Sequence, residues 1–321
     1  MVVPVYQGER TLPALIDELV GFTSTFSTPD GHEAVVSEVL LVHDRGPDGS
    51  AAVIRALAAQ HDFVRPVWLS RNFGQHPATL AGMASSGGDW VVTMDEDGQH
   101  DPADIGSLLD AAMSNGASVV YAKPTNLPPH SALRNVTSRA AKVVVASLTG
   151  SKNSTAYQSF RLVLGEVGRS VAAYAGPGVY LDVALGWVAA DVVTAPVTLR
   201  SEGDRSSGYN LRSLLSHFWR MVLSSGTRGL RAVSILGAGF GAVGVLFAIF
   251  IGIQRIAGVD VAAGWTSTMV VVLVSTGAIL FSLGVVAEYV GVAVNTAIGK
   301  PLYLIVTDPA RGPLGRRSDR T

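Results

Sequence analysis

A cluster of acidic and amide side chains follows a short apolar run in VVTMDEDGQHDP, residues 91–102. Asp95 and Asp97 stand two residues apart where the chain leaves this run, so Asp97 and a following polar group can converge on one ion, with Asp95 beside it. Oxygen ligands of this kind suit Mg²⁺ or Mn²⁺, which usually also bind substrate phosphates. Such an ion would neutralise charge on a leaving diphosphate. A solvated turn is the alternative interpretation.

Five short apolar runs, which we predict to be buried strands, alternate with segments whose apolar residues recur at helical spacing. The predicted strands are residues 2–6, 39–43, 65–69, 90–94 and 118–121. This alternation indicates βαβ units and therefore an α/β fold with a mostly parallel sheet. Ligands of such sheets bind beyond the carboxyl ends of the strands. Polar residues mark those ends, so we expect one site formed by Tyr6, Asp44, Arg71 and Asp95.

Two long uncharged runs, residues 232–254 and about 264–287, lie in the last third of the 321-residue chain. Each is long enough to cross a hydrocarbon core of roughly 30 Å as a helix; two buried helices of a soluble protein are the alternative. Arginine and lysine flank the pair on both outer sides, whereas Arg255 is the only basic residue of the link. The positive-inside rule therefore predicts a hairpin with both ends in the cytoplasm.

The composition narrows the class of protein further. The chain has no cysteine, which excludes disulfides and thiolate metal sites. Its net charge of -1 argues against nucleic acid as the main partner.

We predict a catalytic domain at 1–209, an interfacial helix at 210–229, two transmembrane helices within 230–299 and a cytoplasmic tail at 300–321. An ordinary packing helix is the alternative for 210–229. Because Met1 lies inside the predicted first strand, we expect either a start further upstream or a shortened strand.

Several motifs together resemble the inverting glycosyltransferases of family 2. Within that family they are most similar to the branch of dolichol-phosphate mannose synthase and bactoprenol glucosyltransferase, which loads sugars onto polyprenyl phosphate. The motifs are VVPVYQGERTL, RNFGQHPATLAGM, GDWVVTMDEDGQHDP, SFRLV, EGDRSSGYNLRSLL and EYVGVAVNTAIGKPLY. The resemblance implies a GT-A fold, Rossmann-like with flanking helices, followed by the transmembrane hairpin. It also implies a hexosyltransferase that uses a UDP- or GDP-linked sugar to make a polyprenyl-phosphate sugar for cell-envelope glycan modification.

The resemblance assigns a donor site at matching positions. It gives donor contacts to Pro4, Tyr6, Glu9, Asp44, Arg71, Asp95 and Asp97, and the Mg²⁺ or Mn²⁺ ion to Asp97, Gln99 and Asp95. In VHDRGPDGS, Asp44 and Asp48 hold their places, but His43 stands where the family usually has aspartate, which leaves the nucleotide open. The resemblance makes Asp97, Asp95, Arg205 and Arg200 the catalytic set. The two arginines lie in a loop that closes over the donor, and either one could meet the diphosphate.

The acceptor phosphate is assigned by the resemblance to Arg134, Ser138, Arg139 and Arg161. Arg134 and Ser138 are four residues apart on a predicted helix and so share a face, and guanidinium and hydroxyl groups suit phosphate oxygens. A basic, solvated helix is the alternative for this segment. Asp182 is the best spare carboxylate for a general base, or it orients an acceptor-side arginine.

A phosphate acceptor is already anionic, so it needs positioning and electrostatic stabilisation but no deprotonation. A hydroxyl acceptor on a glycan or lipid would need a general base, and this second activity stays open. A third interpretation is a catalytically inactive membrane scaffold, because the HDRGP segment departs from the family pattern. The expected partners are a nucleotide sugar, polyprenyl phosphate and membrane lipid. The expected location is the cell inner membrane or plasma membrane, as a multi-pass protein with its catalytic domain in the cytoplasm; a homo-oligomer is left open.

Overall fold

The structure is a computed structural model, and it describes residues 1–126, 157–176, 179–189, 191–200, 228–257 and 264–311. The strands are β1 (Val2–Val5), β2 (Phe26–Ser27), β3 (Glu33–Ala34), β4 (Val39–His43), β5 (Val64–Leu69), β6 (Trp90–Thr93), β7 (Val119–Pro124), β8 (Arg161–Leu164), β9 (Val192–Val197) and β10 (Ile305–Val306). The helices are α1 (Leu12–Val20), α2 (Ser50–Gln60), α3 (Gln75–Ser85), α4 (Ile105–Asn115), α5 (Gly165–Tyr174), α6 (Leu181–Val188), α7 (Arg228–Ile256) and α8 (Trp265–Ala297).

One sheet of eight strands, in the order β10-β5-β4-β1-β6-β8-β7-β9, forms the centre of the described residues. Strands β5, β4, β1 and β6 are mutually parallel, as are β7 and β9. Strand β8 runs antiparallel between β6 and β7, and β10 runs antiparallel at the edge. All five predicted strands are present, and the predicted mostly parallel α/β fold is confirmed. The central strands are apolar throughout because helices cover both of their faces.

The two faces of the sheet carry separate cores, since successive residues of a strand point to opposite sides. Val3 and Val5 pack with α1, α2 and α4, whereas Val2 packs with α3, α5 and α6. Helix α3 comes so close to β1 that a Cβ on Gly82 would lie 2.3 Å from Val2 Cγ1. A larger residue at Gly82 would therefore push α3 away from the strand whose end forms the site.

The chain after α8 returns to the sheet. Leu302 and Tyr303 pack against the core on the α3, α5 and α6 face, and β10 then pairs with β5. Arg55 on α2 donates two hydrogen bonds to Asp308, at 2.8 and 2.7 Å. The sequence places residues 300–321 outside the domain, but their described part, up to residue 311, supplies an edge strand. A two-residue strand has no periodicity to detect, and its partner strand is remote in the sequence.

Helices α7 and α8 contact each other, and their apolar side chains are largely exposed. Within the described residues, one segment, Val274–Ala297 of α8, is long and apolar enough to cross a membrane, with a mean hydropathy of 1.9. The predicted second span, about 264–287, stops before the charged Glu288, whereas the helix α8 continues to Ala297, so the bounds of this span stay a prediction. Helix α7 contains a shorter apolar stretch, Val233–Phe247, so the two-span hairpin stays a prediction.

Candidate active site

The loops that follow β1, β4, β5 and β6 meet at the carboxyl edge of the parallel strands, as the strand ends predict. The backbone amides of Tyr6 and Gln7 donate to the two carboxylate oxygens of Glu96, at 2.9 and 2.8 Å. Glu96 therefore ties the loop after β6 to the loop after β1. Glu96 has no predicted role, although its position between the predicted ligands Asp95 and Asp97 was a signal.

The backbone of the loop after β4 packs directly against the backbone of the loop after β1. A Cβ on Gly46 would lie 1.5 Å from the carbonyl oxygen of Tyr6, so no other residue fits at this position without moving the loop. The preceding residue, Arg45, has a φ of 54° in the left-handed region and donates from Nε to the Ser70 carbonyl at 3.1 Å. The glycine that departs from the family pattern thus makes room for a close approach of two site loops.

Glu9 and Asp48 hold the N-terminal end of α2 against the β1 loop by reciprocal hydrogen bonds. The Glu9 amide donates to Asp48 at 3.1 Å, and the Gly49 amide donates to the Glu9 carboxylate at 2.9 Å. The Ser50 hydroxyl donates to Asp48 at 2.6 Å. Partial burial raises the pKa of Asp48, but the hydrogen bonds from Ser50 and Glu9 outweigh it and leave the pKa below its usual value. Asp48 therefore accepts these bonds as a carboxylate at neutral pH.

Asp44 is buried, and both of its oxygens are occupied by the loop after β5. They accept from the backbone amides of Phe73 and Gly74 at 2.7 and 2.8 Å. Burial raises the pKa of Asp44, while these amides and Arg71 oppose the shift. The Arg71 guanidinium lies 4.4 Å from the centroid of the Phe73 ring. Asp44 thus shapes the segment that carries Arg71, and a direct contact between Asp44 and the nucleotide stays a prediction.

Asp95 is fixed from two sides. Gln75, the first residue of α3, donates from Nε2 to one carboxylate oxygen at 2.5 Å, and the Ser159 hydroxyl donates to the other at 2.5 Å. Ser159 is itself held, because its carbonyl accepts from the Thr93 hydroxyl on β6 at 2.5 Å. Gln75 and Ser159 both lie within the motifs that carry the family resemblance, but only their positions in space show that they orient Asp95.

Asp97 begins a tight turn. Its Oδ1 accepts from the Gln99 amide at 3.0 Å, and Gly98 between them has a φ of 76°, which favours glycine. The Gln99 carbonyl accepts from the Arg200 amide at 2.9 Å. This bond attaches the segment that follows β9 to the loop of Asp95, Asp97 and Gln99, which we call the acidic loop.

The predicted catalytic residue Arg200 directs its guanidinium to two carboxylates. It donates to Glu18 on α1 at 2.8 and 2.9 Å and to Asp101 at 2.9 Å. In this structure Arg200 therefore positions the segment beside the acidic loop, and which of Arg200 and Arg205 meets the diphosphate stays a prediction. Arg205 lies outside the described residues.

The residues present suit a divalent cation that is shared with substrate. Asp95, Asp97 and Gln99 place carboxylate and carboxamide oxygens on one loop. Within the residues that the structure describes, no three His, Asp or Glu side chains are grouped as a complete ligand set. Donor phosphate oxygens would have to complete the coordination, which is the usual arrangement for Mg²⁺. The predicted metal ligands thus fit such an ion, and their role stays a prediction.

Arg161, which the resemblance assigns to the acceptor phosphate, is buried in β8 and pairs with the buried Asp182. Its Nε donates to the Thr93 hydroxyl at 3.1 Å, and the Tyr121 hydroxyl donates to Asp182 at 2.9 Å. An arginine that is 3% exposed and already paired is poorly placed to bind a lipid headgroup. Its contacts indicate that Arg161 instead positions Ser159, whose carbonyl oxygen lies 3.4 Å from Arg161 Nε and whose hydroxyl donates to Asp95. Asp182 is the partner of this buried arginine, and neither its role as a general base nor that of orienting an acceptor-side arginine is tested.

Several predicted residues cannot be placed. Arg134, Ser138 and Arg139 of the acceptor site lie outside the described residues. The same holds for residues 210–227 of the predicted interfacial helix. Pro4 lies in β1, where it pairs with Val42 of β4. Apart from Arg161 and Arg200, the described site residues are thus those predicted for the donor and the metal.

Known proteins resemble this chain over most of its length. A family model described as "Glycosyl transferase family 2" matches residues 1–163. The undecaprenyl-phosphate 4-deoxy-4-formamido-L-arabinose transferase of Aeromonas hydrophila is 29% identical, over 95% of this chain and 92% of the relative. That of Pseudomonas paraeruginosa is 30% identical, over 95% and 88%. Among solved structures, glucosyl-3-phosphoglycerate synthase from Mycobacterium tuberculosis in complex with Mn²⁺ and UDP-glucose has a TM-score of 0.47 and 17% identity, over 71% of this chain and 77% of that one.

Proposed function

Because this chain belongs to glycosyl transferase family 2, we propose that it transfers a sugar from a nucleotide-sugar donor to polyprenyl phosphate, with inversion, at the cytoplasmic face of a membrane. The observation that carries the proposal is the extent of the similarity. Relatives named as undecaprenyl-phosphate sugar transferases match over 95% of the chain, which includes the apolar helices as well as the catalytic domain. Polyprenyl phosphate has an isoprenoid tail that stays in lipid, and a helix such as α8 would keep the site close to that tail.

The burial of Asp182 in an ion pair bears on which class of acceptor the protein uses. A hydroxyl acceptor needs a general base, and Asp182 was the spare carboxylate for that role. Asp182 is instead buried against Arg161 and Tyr121, so it is poorly placed to take a proton from a substrate. A phosphate monoester is already an anion near neutral pH, since its second pKa is about 6. This difference favours the phosphate acceptor over a glycan or lipid hydroxyl.

On the donor side, each loop of the site has a proposed role. The β1 loop and the segment of Arg71 border the nucleotide, and Glu96 and Asp44 keep them in place. A divalent ion held by Asp97, Gln99 and Asp95 would stabilise the leaving diphosphate. The paired hydrogen bonds on Asp95 fix its carboxylate before the donor arrives, so less reorganisation is needed on binding.

The membrane topology is part of the proposal. Strand β10 lies in the catalytic sheet a few residues after α8, so the C-terminal end of α8 is on the same side as the site. If α7 and α8 both cross the membrane, both outer ends of the hairpin are then on the side of the catalytic domain. Nucleotide sugars are made in the cytosol, and the positive flanks predict the same side.

The test is transfer by the purified full chain in proteoliposomes. The donors are a nucleotide-linked 4-deoxy-4-formamido-L-arabinose and a panel of UDP- and GDP-hexoses; the acceptors are undecaprenyl phosphate and undecaprenol. We expect mass spectrometry to detect a glycosylated product with undecaprenyl phosphate as the acceptor and none with undecaprenol. Transfer to undecaprenol or to a glycan, with none to undecaprenyl phosphate from any donor, would refute the proposal.

A matched pair of aspartate variants tests the metal site. Asp97→Ala should abolish transfer without unfolding the protein, whereas Asp62→Ala removes an exposed aspartate just before β5 begins and should leave transfer unchanged. Chelation should stop transfer by the unmodified protein, and added Mg²⁺ or Mn²⁺ should restore it. Full turnover by Asp97→Ala, or in excess chelator, would contradict the metal assignment while leaving the acceptor proposal intact.

The acceptor side is tested by kinetics. Arg134→Ala and Arg139→Ala should raise the KM for undecaprenyl phosphate more than the KM for the donor, because a guanidinium binds phosphate by charge-assisted hydrogen bonds. A larger effect on the donor KM would mean that these arginines serve the donor diphosphate.

A further inference from the structure

The chain that follows α8 returns to the carboxyl end of one central strand. Strand β10 pairs with Trp68 and Leu69, which are the last two residues of β5. Within the described residues, the earlier part of β5, residues 64–67, has no strand partner on that side. The pairing therefore covers the end of β5 that carries a loop of the candidate site, and not the whole edge of the sheet. We call residues 300–308 the return segment.

The return segment is hydrogen-bonded to the loop after β5. The Ser70 amide donates to the Leu304 carbonyl at 3.0 Å, and the Ser70 carbonyl accepts from Arg45 Nε at 3.1 Å. Arg45 belongs to the loop after β4, and Arg71, a predicted donor residue, directly follows Ser70. Ser70 thus connects the return segment to the loops after β4 and β5, which both belong to the candidate site.

An ion pair fastens the far end of the return segment. Arg55 on α2 donates from Nε and Nη2 to the Asp308 carboxylate, whose side chain is 12% exposed. The Arg55 guanidinium also lies 4.9 Å from the centroid of the Trp68 ring, and Trp68 is the register partner of Val306. Because a strand of two residues forms few hydrogen bonds with its neighbour, β10 depends on such side-chain contacts. The ion pair therefore holds β10 beside the loop that begins at Ser70.

We propose that the return segment is a positioning element of the donor site, and that Asp308 and Arg55 are positioning residues that act on nucleotide binding through Ser70. When the ion pair is broken, β10 loses an attachment, and the loops at Ser70 and Arg45 gain freedom that donor binding must remove. The apparent affinity for the nucleotide then falls with the fraction of molecules whose loops are in place. This inference rests on the proposed function, because it takes the loop of Arg71 as part of the donor site.

The experiment reverses the charge at Asp308 and then restores the ion pair in the opposite sense. Calorimetry measures binding of UDP and of GDP, each with Mn²⁺, to the detergent-solubilised full chain. The variants are Asp308→Arg and the double variant Arg55→Asp/Asp308→Arg. The matched control is Arg65→Asp, which breaks a surface ion pair with Glu38 near the opposite end of β5.

We expect Asp308→Arg to raise the Kd of the nucleotide that the unmodified protein binds by about threefold or more. The double variant should bring this Kd back toward the value of the unmodified protein, and Arg65→Asp should leave it unchanged. The KM for undecaprenyl phosphate should not change in Asp308→Arg, because the predicted acceptor residues lie in another part of the chain.

An unchanged nucleotide Kd in Asp308→Arg would overturn the inference, even if the melting temperature fell, because the return segment would then contribute stability alone. An equal rise of the nucleotide Kd and the acceptor KM would overturn it as well. Asp308→Asn provides the same measurements if Asp308→Arg does not fold. Transfer to undecaprenyl phosphate with an unchanged Kd in the variant refutes the inference alone, whereas nucleotide binding that depends on the ion pair, without any transfer, refutes the proposed function alone.

Discussion

Replacing Arg161 by methionine separates the role that the structure gives this arginine from the acceptor role that the resemblance implies. The guanidinium is 3% exposed and pairs with Asp182, and it donates to the Thr93 hydroxyl at 3.1 Å. Methionine keeps much of the apolar volume of the side chain but removes its charge. Asp182 would then be left in the interior with the Tyr121 hydroxyl, at 2.9 Å, as its remaining strong partner in this cluster.

The expected cost follows from the uncompensated charge. Removing one partner of a buried ion pair destabilises a protein by about 3–5 kcal/mol. For a domain of this size, each kcal/mol lowers the melting temperature by about 2–4 °C, so we expect a decrease of roughly 10 °C. Removing Arg161, Asp182 and the Tyr121 hydroxyl together, in Arg161→Met/Asp182→Leu/Tyr121→Phe, should recover most of this loss, since apolar residues of similar volume often replace a buried ion pair without net cost.

Thermal unfolding of the detergent-solubilised full chain, followed by circular dichroism, measures the effect. Arg65→Met is the matched control, because Arg65 forms its ion pair with Glu38 at the surface, and such pairs contribute about 0–1 kcal/mol. Transfer kinetics are measured on the same samples. If Arg161→Met were as stable as Arg65→Met and had a raised KM for polyprenyl phosphate, Arg161 would bind the acceptor and our interpretation of the buried pair would be wrong.

Three further predictions concern the site and its support. Ser159→Ala removes one of the two hydrogen bonds on Asp95, and since a bond to a charged group is worth about 1.5–3 kcal/mol, the melting temperature should fall by about 3–12 °C. The variant should also lower kcat, because the Asp95 carboxylate is no longer fixed, and Ser159→Thr should stay closer to the unmodified enzyme in both measurements. Asp308→Asn should destabilise the protein by about 1 kcal/mol at pH 7. Arg55 lowers the pKa of Asp308, so this difference should shrink as pH falls below the ordinary value of 3.8; a difference independent of pH would contradict the ion pair. Burial lowers the pKa of His43 below 6.5, so the unfolded chain binds its proton first; stability should fall as pH drops below 6.5, and His43→Phe should flatten that slope in denaturant titrations.

The sequence alone was sufficient for the strands β1, β4, β5, β6 and β7 and for the meeting of the polar loops that follow the first four of them. Buried strands such as VLLVH are continuous apolar runs, and the residue types at their ends are local signals. Because parallel strands share one edge for their carboxyl ends, the convergence of the loops after β1, β4, β5 and β6 follows from that order. The acidic loop at Asp95 and Asp97 and the apolar run in α8 were visible for the same reason: each signal lies within one short stretch of chain.

The tertiary structure decided which side chains are free to act and which are already engaged. Arg161 and Arg200 look alike in a motif, yet one is buried against Asp182 and the other is paired with Glu18 and Asp101 at the surface. The hydrogen bonds that fix Asp95 and the pairing of the edge strand β10 likewise depend on partners that are remote in the sequence. Residue type and spacing determine local conformation, but the direction and burial of a side chain depend on what the rest of the chain packs against it.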